Sequence, residues 1–206
     1  MWGDWLELVP DDAAHVHLAA DLVDHGDPGH LFHFQGRERF PGMMTCGIDP
    51  GLHGGIALVN GDGALLEVHP MPTTLVKKGK RNANVYAEDT LLEMMSTCPA
   101  QRFVVESLVI VPGNGKISLA VSGDGYGLIR GMLKGLGKEL VVVSPRTWQA
   151  QMLPKTKGRQ ALKEASINVA SELWGPGWFH GPMGGPKDGL SDAALIAVWG
   201  RLHGWQ

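Results

Sequence analysis

Four acidic residues occupy positions where a carboxylate could do chemistry rather than only face solvent. Asp49 follows an apolar run in "TCGIDPGLHGGIALV" (residues 45–59), and Glu106 ends a second apolar run, "RFVVES". Asp188 and Asp192 are four residues apart in "DGLSDAALIAVW", a spacing that places both on one helix face, about 5 to 6 Å apart at Cβ. Burial of such groups is costly unless a partner compensates the charge. All four are therefore candidate site residues.

Five apolar segments are the elements that must position these acids. Residues 43–49, 54–60 and 64–71 predict three strands with short turns, an antiparallel meander. Residues 102–107 and 139–145 predict two further buried strands. If the strands that end at Asp49 and Glu106 are parallel neighbours, both acids emerge at the same edge of the sheet.

The remaining segments predict helices and loops around that sheet. Helical periodicity is found in 86–96, 125–136, 159–173 and 188–202. The basic segment 73–85 is predicted to be a loop, and the Gly- and Pro-rich segment 174–187 an unstructured loop. Apolar strands without alternation indicate a sheet covered on both faces. The predicted fold class is therefore α/β, a mixed five-stranded sheet (three-strand antiparallel meander plus two parallel strands) flanked by helices.

Acids gathered at the rim of one core repel each other unless cations lie among them. Oxygen ligands suit Mg²⁺ or Mn²⁺, and a pair of such ions supports phosphodiester hydrolysis. The pattern therefore predicts a site for two Mg²⁺ ions, with Mn²⁺ as a substitute. Three simpler roles stay open: Asp49 as a turn acid, Glu106 as a strand-end residue paired with a lysine, and Asp188 as the N-cap of the last helix.

Four motifs in this order resemble the RuvC family of Holliday-junction resolvases, in the shorter style of phages and prophages: "GIDPGLHGGIAL", "FVVES", "VVVSPRTWQ" and "KDGLSDAALIA". The resemblance covers about residues 44–203. It implies an RNase H-like fold and carries over Asp49, Glu106, Asp188 and Asp192 as metal ligands and catalytic residues. Many bacterial members have a ligand three residues before the last Asp, where this chain has Gly189; the spacing of Asp188 is similar to that of the mitochondrial resolvases of fungi.

The resemblance implies a Mg²⁺-dependent endodeoxyribonuclease that resolves four-way DNA junctions by paired symmetric nicks, leaving 5′-phosphate ends. A two-fold symmetric substrate favours a homodimer. Two alternatives stay open: a nuclease that cuts flaps and forks as readily, and a junction-binding protein without catalysis. "DPGLHGG" also loosely resembles the phosphate hairpin of actin-like ATPases, but those proteins need a second such domain. We therefore expect branched DNA as the partner and no nucleotide cofactor.

Basic residues of the core are candidates for phosphate contacts, although a solvated surface role is open for each of them. The set is Lys77, Lys78, Lys80, Arg81, Lys116, Arg146, Lys155, Lys157, Arg159 and Lys187. Trp148 is expected to pack in the core rather than to stack on a base. Residues 109–116 match the segment with which the family probes the junction.

The whole chain has 206 residues, 44% of them hydrophobic, which is typical of a globular protein. Residues 1–42 are acidic and His-rich and are interpreted as an N-terminal extension, partly disordered, before a nuclease domain at 43–206. No signal-peptide pattern or long apolar run is found, so a cytoplasmic location without membrane contact is expected. Cys46 and Cys98 have no metal-site spacing, and we expect them to be buried, reduced thiols.

Overall fold

The structure is a computed structural model that describes residues 42–79, 81–109, 115–180 and 185–203. The predicted extension lies outside the described residues apart from its last residue, Gly42, as do Lys80 and residues 110–114 of the predicted junction-probing segment. The side chains of Lys78 and Lys116 also lie outside them.

The described chain alternates strands and helices in the order expected of an α/β protein. The elements are β1 (Thr45–Asp49), β2 (Gly55–Val59), β3 (Leu65–Pro70), β4 (Thr73–Lys78), β5 (Arg81–Tyr86), α1 (Glu88–Thr97), β6 (Arg102–Glu106), α2 (Lys116–Gly135), β7 (Glu139–Val143), α3 (Pro145–Met152), α4 (Arg159–Trp174), a short 3₁₀ helix (Pro176–Phe179) and α5 (Asp188–His203).

The main sheet has five strands in the order β3-β2-β1-β6-β7. Strands β1, β2 and β3 form an antiparallel meander, while β6 runs parallel to both β1 and β7. The predicted mixed five-stranded sheet is confirmed, and its topology is the RNase H-like arrangement. The crossovers through α1 and α2 are what allow the parallel pairs to form.

Side chains alternate between the two faces of this sheet. Ile48 and Val105 pack in the core cluster that also holds residues of α1 and α2. Val104 packs in the second cluster, which contains most of α5. Asp49 directly follows Ile48 on β1, and Glu106 directly follows Val105 on β6. Because successive side chains of a strand lie on opposite faces, both acids belong to the face that α5 covers.

Helix α5 approaches β1 at backbone distance because small residues meet there. A Cβ atom at Gly47 would lie 2.2 Å from the carbonyl oxygen of Ala193 and 2.3 Å from the amide nitrogen of Ala197. Real Cβ atoms are not found at such distances, so any larger residue at position 47 would push the helix away. The middle of this helix, Ala193–Val198, is buried at every position, which explains why that stretch is apolar on all sides.

The prediction of a loop at 73–85 was wrong. Strands β4 and β5 form a separate antiparallel hairpin, in which Thr73 pairs with Tyr86 and Lys78 with Arg81. Its turn contains Gly79 with a φ of +63°, a conformation that glycine adopts without a steric penalty. Val and Thr residues in these strands favour the extended backbone. We call residues 73–86 the basic arm.

The prediction of an unstructured loop at 174–187 was also wrong in part. Pro176–Phe179 form a 3₁₀ helix, and Phe179 is fully buried, with its ring 6.1 Å from that of Trp174. His180 and Pro186 form an isolated β-bridge. An aromatic anchor therefore holds this segment against the core.

Cys46 and Cys98 are both buried free thiols, as predicted. Across the residues that the structure describes, no helix combines the length and apolar character needed to cross a membrane.

Candidate active site

The parallel pairing of β1 and β6 brings the first two acids to one edge of the sheet. Ile48 lies opposite Val105, and the next residues along the two strands are Asp49 and Glu106, where each strand ends. The sequence prediction was conditional on these strands being parallel neighbours, and the structure meets that condition.

The N-terminus of α5 brings Asp188 and Asp192 to the same edge. A Cβ atom at Gly189 would lie 2.2 Å from the carbonyl oxygen of His53, and one at Gly55 would lie 2.8 Å from the carbonyl oxygen of Gly189. The first turn of α5 therefore rests directly on the turn that connects β1 to β2. Four acids from three separate segments of the chain thus meet at the end of β1.

Each of the four carboxylates contacts a donor from the protein. Asp49 Oδ1 accepts from the amide of Gly51 at 3.2 Å, and Glu106 Oε1 accepts from the indole Nε1 of Trp148 at 2.7 Å. Asp188 Oδ2 lies 2.6 Å from Lys163 Nζ. Asp192 Oδ1 accepts a hydrogen bond from the hydroxyl of Ser166.

These partners do not compensate the charge of the cluster. Burial, together with the charge of Asp188, raises the pKa of Asp49 to about 6. Burial and the charge of Asp49 raise the pKa of Glu106 to about 8 and that of Asp192 to about 7. All three effects have the same physical origin, since desolvation and neighbouring negative charges both disfavour the ionised form.

Lys163 is the cation that the described part of the chain places against these acids, and sequence reasoning missed it. It lies on α4, one turn after Arg159, and its positive charge lowers the pKa of both Asp49 and Asp192 against the effect of burial. No feature of the sequence indicated this role, because a lysine on an amphipathic helix such as α4 is an ordinary residue.

Two serines link α4 to α5 behind the acids. Ser166 and Ser191 are buried, and their hydroxyl oxygens lie 3.0 Å apart. The hydroxyl of Ser191 donates to the backbone carbonyl of Asp188 at 2.9 Å, and that of Ser166 donates to Asp192. The helix pair is thereby held in register at the cluster.

Trp148 is fully buried, as predicted, but it also has a polar role that the sequence did not indicate. Ser144 caps helix α3, accepting from the amide of Thr147 at 3.1 Å, and Pro145 occupies its first turn. This helix start, directly after β7, directs the Trp148 indole at Glu106.

The hydrogen bonds of the acids match only one of their three simpler roles. Asp49 accepts a hydrogen bond from the amide of Gly51, as an acid in a turn would. The partner of Glu106 is Trp148 rather than a lysine. The amides of Leu190 and Ser191, which would donate to a capping Asp188, donate instead to the carbonyl of Lys187, at 3.1 and 3.5 Å.

The chemistry of the cluster fits a hard divalent cation because its donors are carboxylate oxygens. Four carboxylates also carry more negative charge than the positive charge of Lys163 can balance. As the side chains stand, no group of three or more Asp, Glu, His or Cys among the described residues is placed to hold one ion. Each carboxylate faces its own protein donor. Ligation of a shared cation therefore requires rotation of these side chains.

The predicted phosphate contacts fall on two surfaces. Lys77 and Arg81 are exposed near the tip of the basic arm. The second group is exposed on α3, on the α3–α4 connection, at the start of α4 and directly before α5; its members are Arg146, Lys155, Lys157, Arg159 and Lys187. This second group lies on or directly beside α3, α4 and α5, the helices that carry Trp148, Lys163 and Asp188.

Comparison with known proteins gives structural similarity only. No protein-family description matches the chain, and no curated protein matches it. A structure of T. thermophilus RuvC in complex with Holliday junction substrate is similar, with a TM-score of 0.48, 15% identity and coverage of 78% of this chain and 94% of that one. A second Thermus thermophilus RuvC structure has a TM-score of 0.45, 16% identity and coverage of 78% and 95%. The fold of this chain is established by its own strand order, β3-β2-β1-β6-β7, rather than by these similarities.

Proposed function

We propose that this protein is a divalent-cation-dependent endodeoxyribonuclease that resolves four-way DNA junctions by paired symmetric nicks. The observation that carries the proposal is the convergence of Asp49, Glu106, Asp188 and Asp192 at one edge of the sheet. These are the residues that the RuvC resemblance selects from three separate motifs. RuvC bound to a Holliday junction is also among the similar structures.

The four acids would hold the cations, Mg²⁺ or Mn²⁺, after turning away from their present donors. Bound cations would supply Lewis acidity for water activation and for stabilisation of the leaving oxygen. The chain itself sets where this happens: β1 and β6 orient Asp49 and Glu106, and α5 presents Asp188 and Asp192 from the opposite side. Glu106 would give up its hydrogen bond from Trp148, and Asp192 its hydrogen bond from Ser166, in this rotation.

The exposed basic residues would bind the DNA backbone on both sides of this edge. Such contacts position a duplex without reading its sequence. A junction with two-fold symmetry needs two sites related by the same symmetry, so the proposed active species is a homodimer.

The test is cleavage of end-labelled four-way junctions, forks, flaps and linear duplex in Mg²⁺, by the protein and by two variants. Asp49→Asn removes a proposed ligand and keeps the size of the side chain. Asp89→Asn makes the same change at an exposed acid in the first turn of α1. We expect paired nicks that ligase can seal, loss of cleavage in Asp49→Asn with junction binding retained, and unchanged cleavage in Asp89→Asn.

Other outcomes select other functions. Equal cutting of forks and flaps would indicate a general branch nuclease instead of a junction resolvase. Phosphate contacts that do not depend on sequence would bind those substrates as well. Tight junction binding without cleavage in either Mg²⁺ or Mn²⁺ would contradict the enzymatic proposal and indicate a junction-binding protein. Sedimentation of the complex with one junction reports whether two copies bind.

A further inference from the structure

The base of the basic arm is attached to the turn that follows Asp49. On one side, the amide of Met71 donates to the carbonyl of Gly54 at 3.0 Å. On the other side, the hydroxyl of Tyr86 donates to the carbonyl of Pro50 at 2.8 Å. Met71, between β3 and the arm, and Tyr86, the last residue of the arm, therefore hold the two ends of residues 50–54.

The turn itself is the part of the backbone that orients Asp49. The amide of Gly51 donates to the Asp49 carboxylate at 3.2 Å, and the amide of Gly54 donates to the carbonyl of Gly51 at 2.9 Å. Pro50 has no N–H, so its carbonyl is its only backbone hydrogen-bonding group. Tyr86 satisfies that group, and it does so one residue after Asp49.

Helix α2 fixes the ring of Tyr86 from behind. A Cβ atom at Gly125 would lie 2.1 Å from both the Cζ and the hydroxyl oxygen of Tyr86. Tyr86 is buried, with 6% of the residue's surface exposed. A glycine at 125 is therefore required for the tyrosine to reach Pro50, and three elements meet at this side chain: the arm, α2 and the turn after Asp49.

The arm also has the composition of a phosphate-binding element. Residues 73–86 contain four basic side chains and no acid, and the described ones, Lys77 and Arg81, are exposed. Five residue steps of about 3.3 Å separate the base from the tip, roughly 16 Å. With one phosphate per 3.4 Å along a strand, this length corresponds to about five phosphates.

We infer that Tyr86 is a positioning residue that joins the basic arm to the turn after Asp49, so that DNA held by the arm meets the acids at a set distance. The DNA part of this inference rests on the proposed function. The attachment of the arm to the turn is a property of the protein alone. The two parts can therefore be tested separately.

Two variants perturb this contact, and each has a matched control. Tyr86→Phe removes only the hydroxyl, and Tyr126→Phe makes the same change at the other tyrosine of the chain. Gly125→Ala favours the helix but displaces the Tyr86 ring. Gly127→Ala adds the same methyl group two residues later, where nothing lies within 4 Å of the added atom.

The first measurement is amide hydrogen exchange of the free protein, read on peptides that cover residues 50–54. We expect Tyr86→Phe and Gly125→Ala to exchange at least about fivefold faster there because the turn loses one of its two attachments. The two controls should match the unaltered protein. Unchanged exchange in Tyr86→Phe would overturn the inference whether or not the protein cleaves DNA.

The second measurement separates binding from cleavage on four-way junctions. We expect junction affinity within about threefold of the unaltered protein in Tyr86→Phe, since the arm's charges are intact. The single-turnover cleavage rate should fall at least tenfold because small misplacements of reacting groups are costly. A parallel loss of affinity and rate would indicate general destabilisation and contradict a positioning role. Absence of cleavage by the unaltered protein would count against the proposed function, while the exchange result would still decide the role of Tyr86.

Discussion

Neutralising one acid of the cluster should stabilise the protein in the absence of divalent cations. Burial and the charge of Asp49 raise the pKa of Asp192 from 3.8 to about 7. The folded state therefore holds a proton that the unfolded chain has released, and its stability falls as pH rises through this window. Asp192→Asn removes the titrating group, while its amide oxygen can still accept from Ser166.

The magnitude follows from the displacement of the pKa. A shift of one pKa unit corresponds to about 1.4 kcal/mol. The rise in the pKa of Asp192 from 3.8 to about 7 therefore lowers the free energy of unfolding by roughly 4 kcal/mol at pH 8. Asp192 is partly exposed, and solvent screens part of the repulsion, so we expect ~2 kcal/mol. For a chain of this length that is a rise in Tm of about 6 °C.

Urea unfolding in EDTA at several pH values measures this effect. The free energy of unfolding of Asp192→Asn should equal that of the unaltered protein near pH 4 and exceed it by ~2 kcal/mol at pH 8. Added Mg²⁺ should reverse the order, since it stabilises the protein that binds it more tightly. A variant that is less stable at pH 8 in EDTA, or a difference independent of pH, would refute the account of the cluster as uncompensated charge.

Three further variants test other contacts of the molecule. Lys163→Met should lower the free energy of unfolding at pH 8 without cations by about 0.5 kcal/mol, and should lower it less near pH 4, where Asp49 and Asp192 are protonated. Gly47→Ala should cost about 3 kcal/mol in urea unfolding, since its methyl group meets the backbone of Ala193; near-native stability would contradict the close packing of α5. Replacing both Lys77 and Arg81 with alanine should reduce the slope of log Kd against log salt by about 2, and an unchanged slope would exclude phosphate contact by the arm.

Much of the fold could be predicted because its strands are strongly apolar and are interrupted by clear turns. The meander, the two parallel strands and the helix at 159–173 follow from hydrophobic periodicity, which reports burial on each face. The arm could not be predicted in this way. Its strands are mostly exposed and polar, so they lack the alternation that burial imposes, and local hairpin pairing stabilises them instead.

The candidate acids could be predicted because a carboxylate at the end of an apolar strand or within an apolar helix is costly without a compensating partner. Lys163 and Ser166 could not be, since a lysine and a serine on an amphipathic helix are ordinary residues until their contacts are known. The same holds for the indole of Trp148. Its burial was predictable, while the acceptor of its N–H depends on how β6 and α3 are placed.

The sequence by itself determined the sheet, most of the helices and the four candidate acids, because these depend on local patterns of polarity and on the cost of burying charge. Only the tertiary structure decided which groups stand next to those acids. In the folded protein Lys163 contacts Asp188, Ser166 contacts Asp192 and Trp148 contacts Glu106. Tyr86 attaches the arm to the turn after Asp49. Such contacts join residues far apart in the chain, and their geometry depends on the packing of whole helices against the sheet rather than on any local pattern.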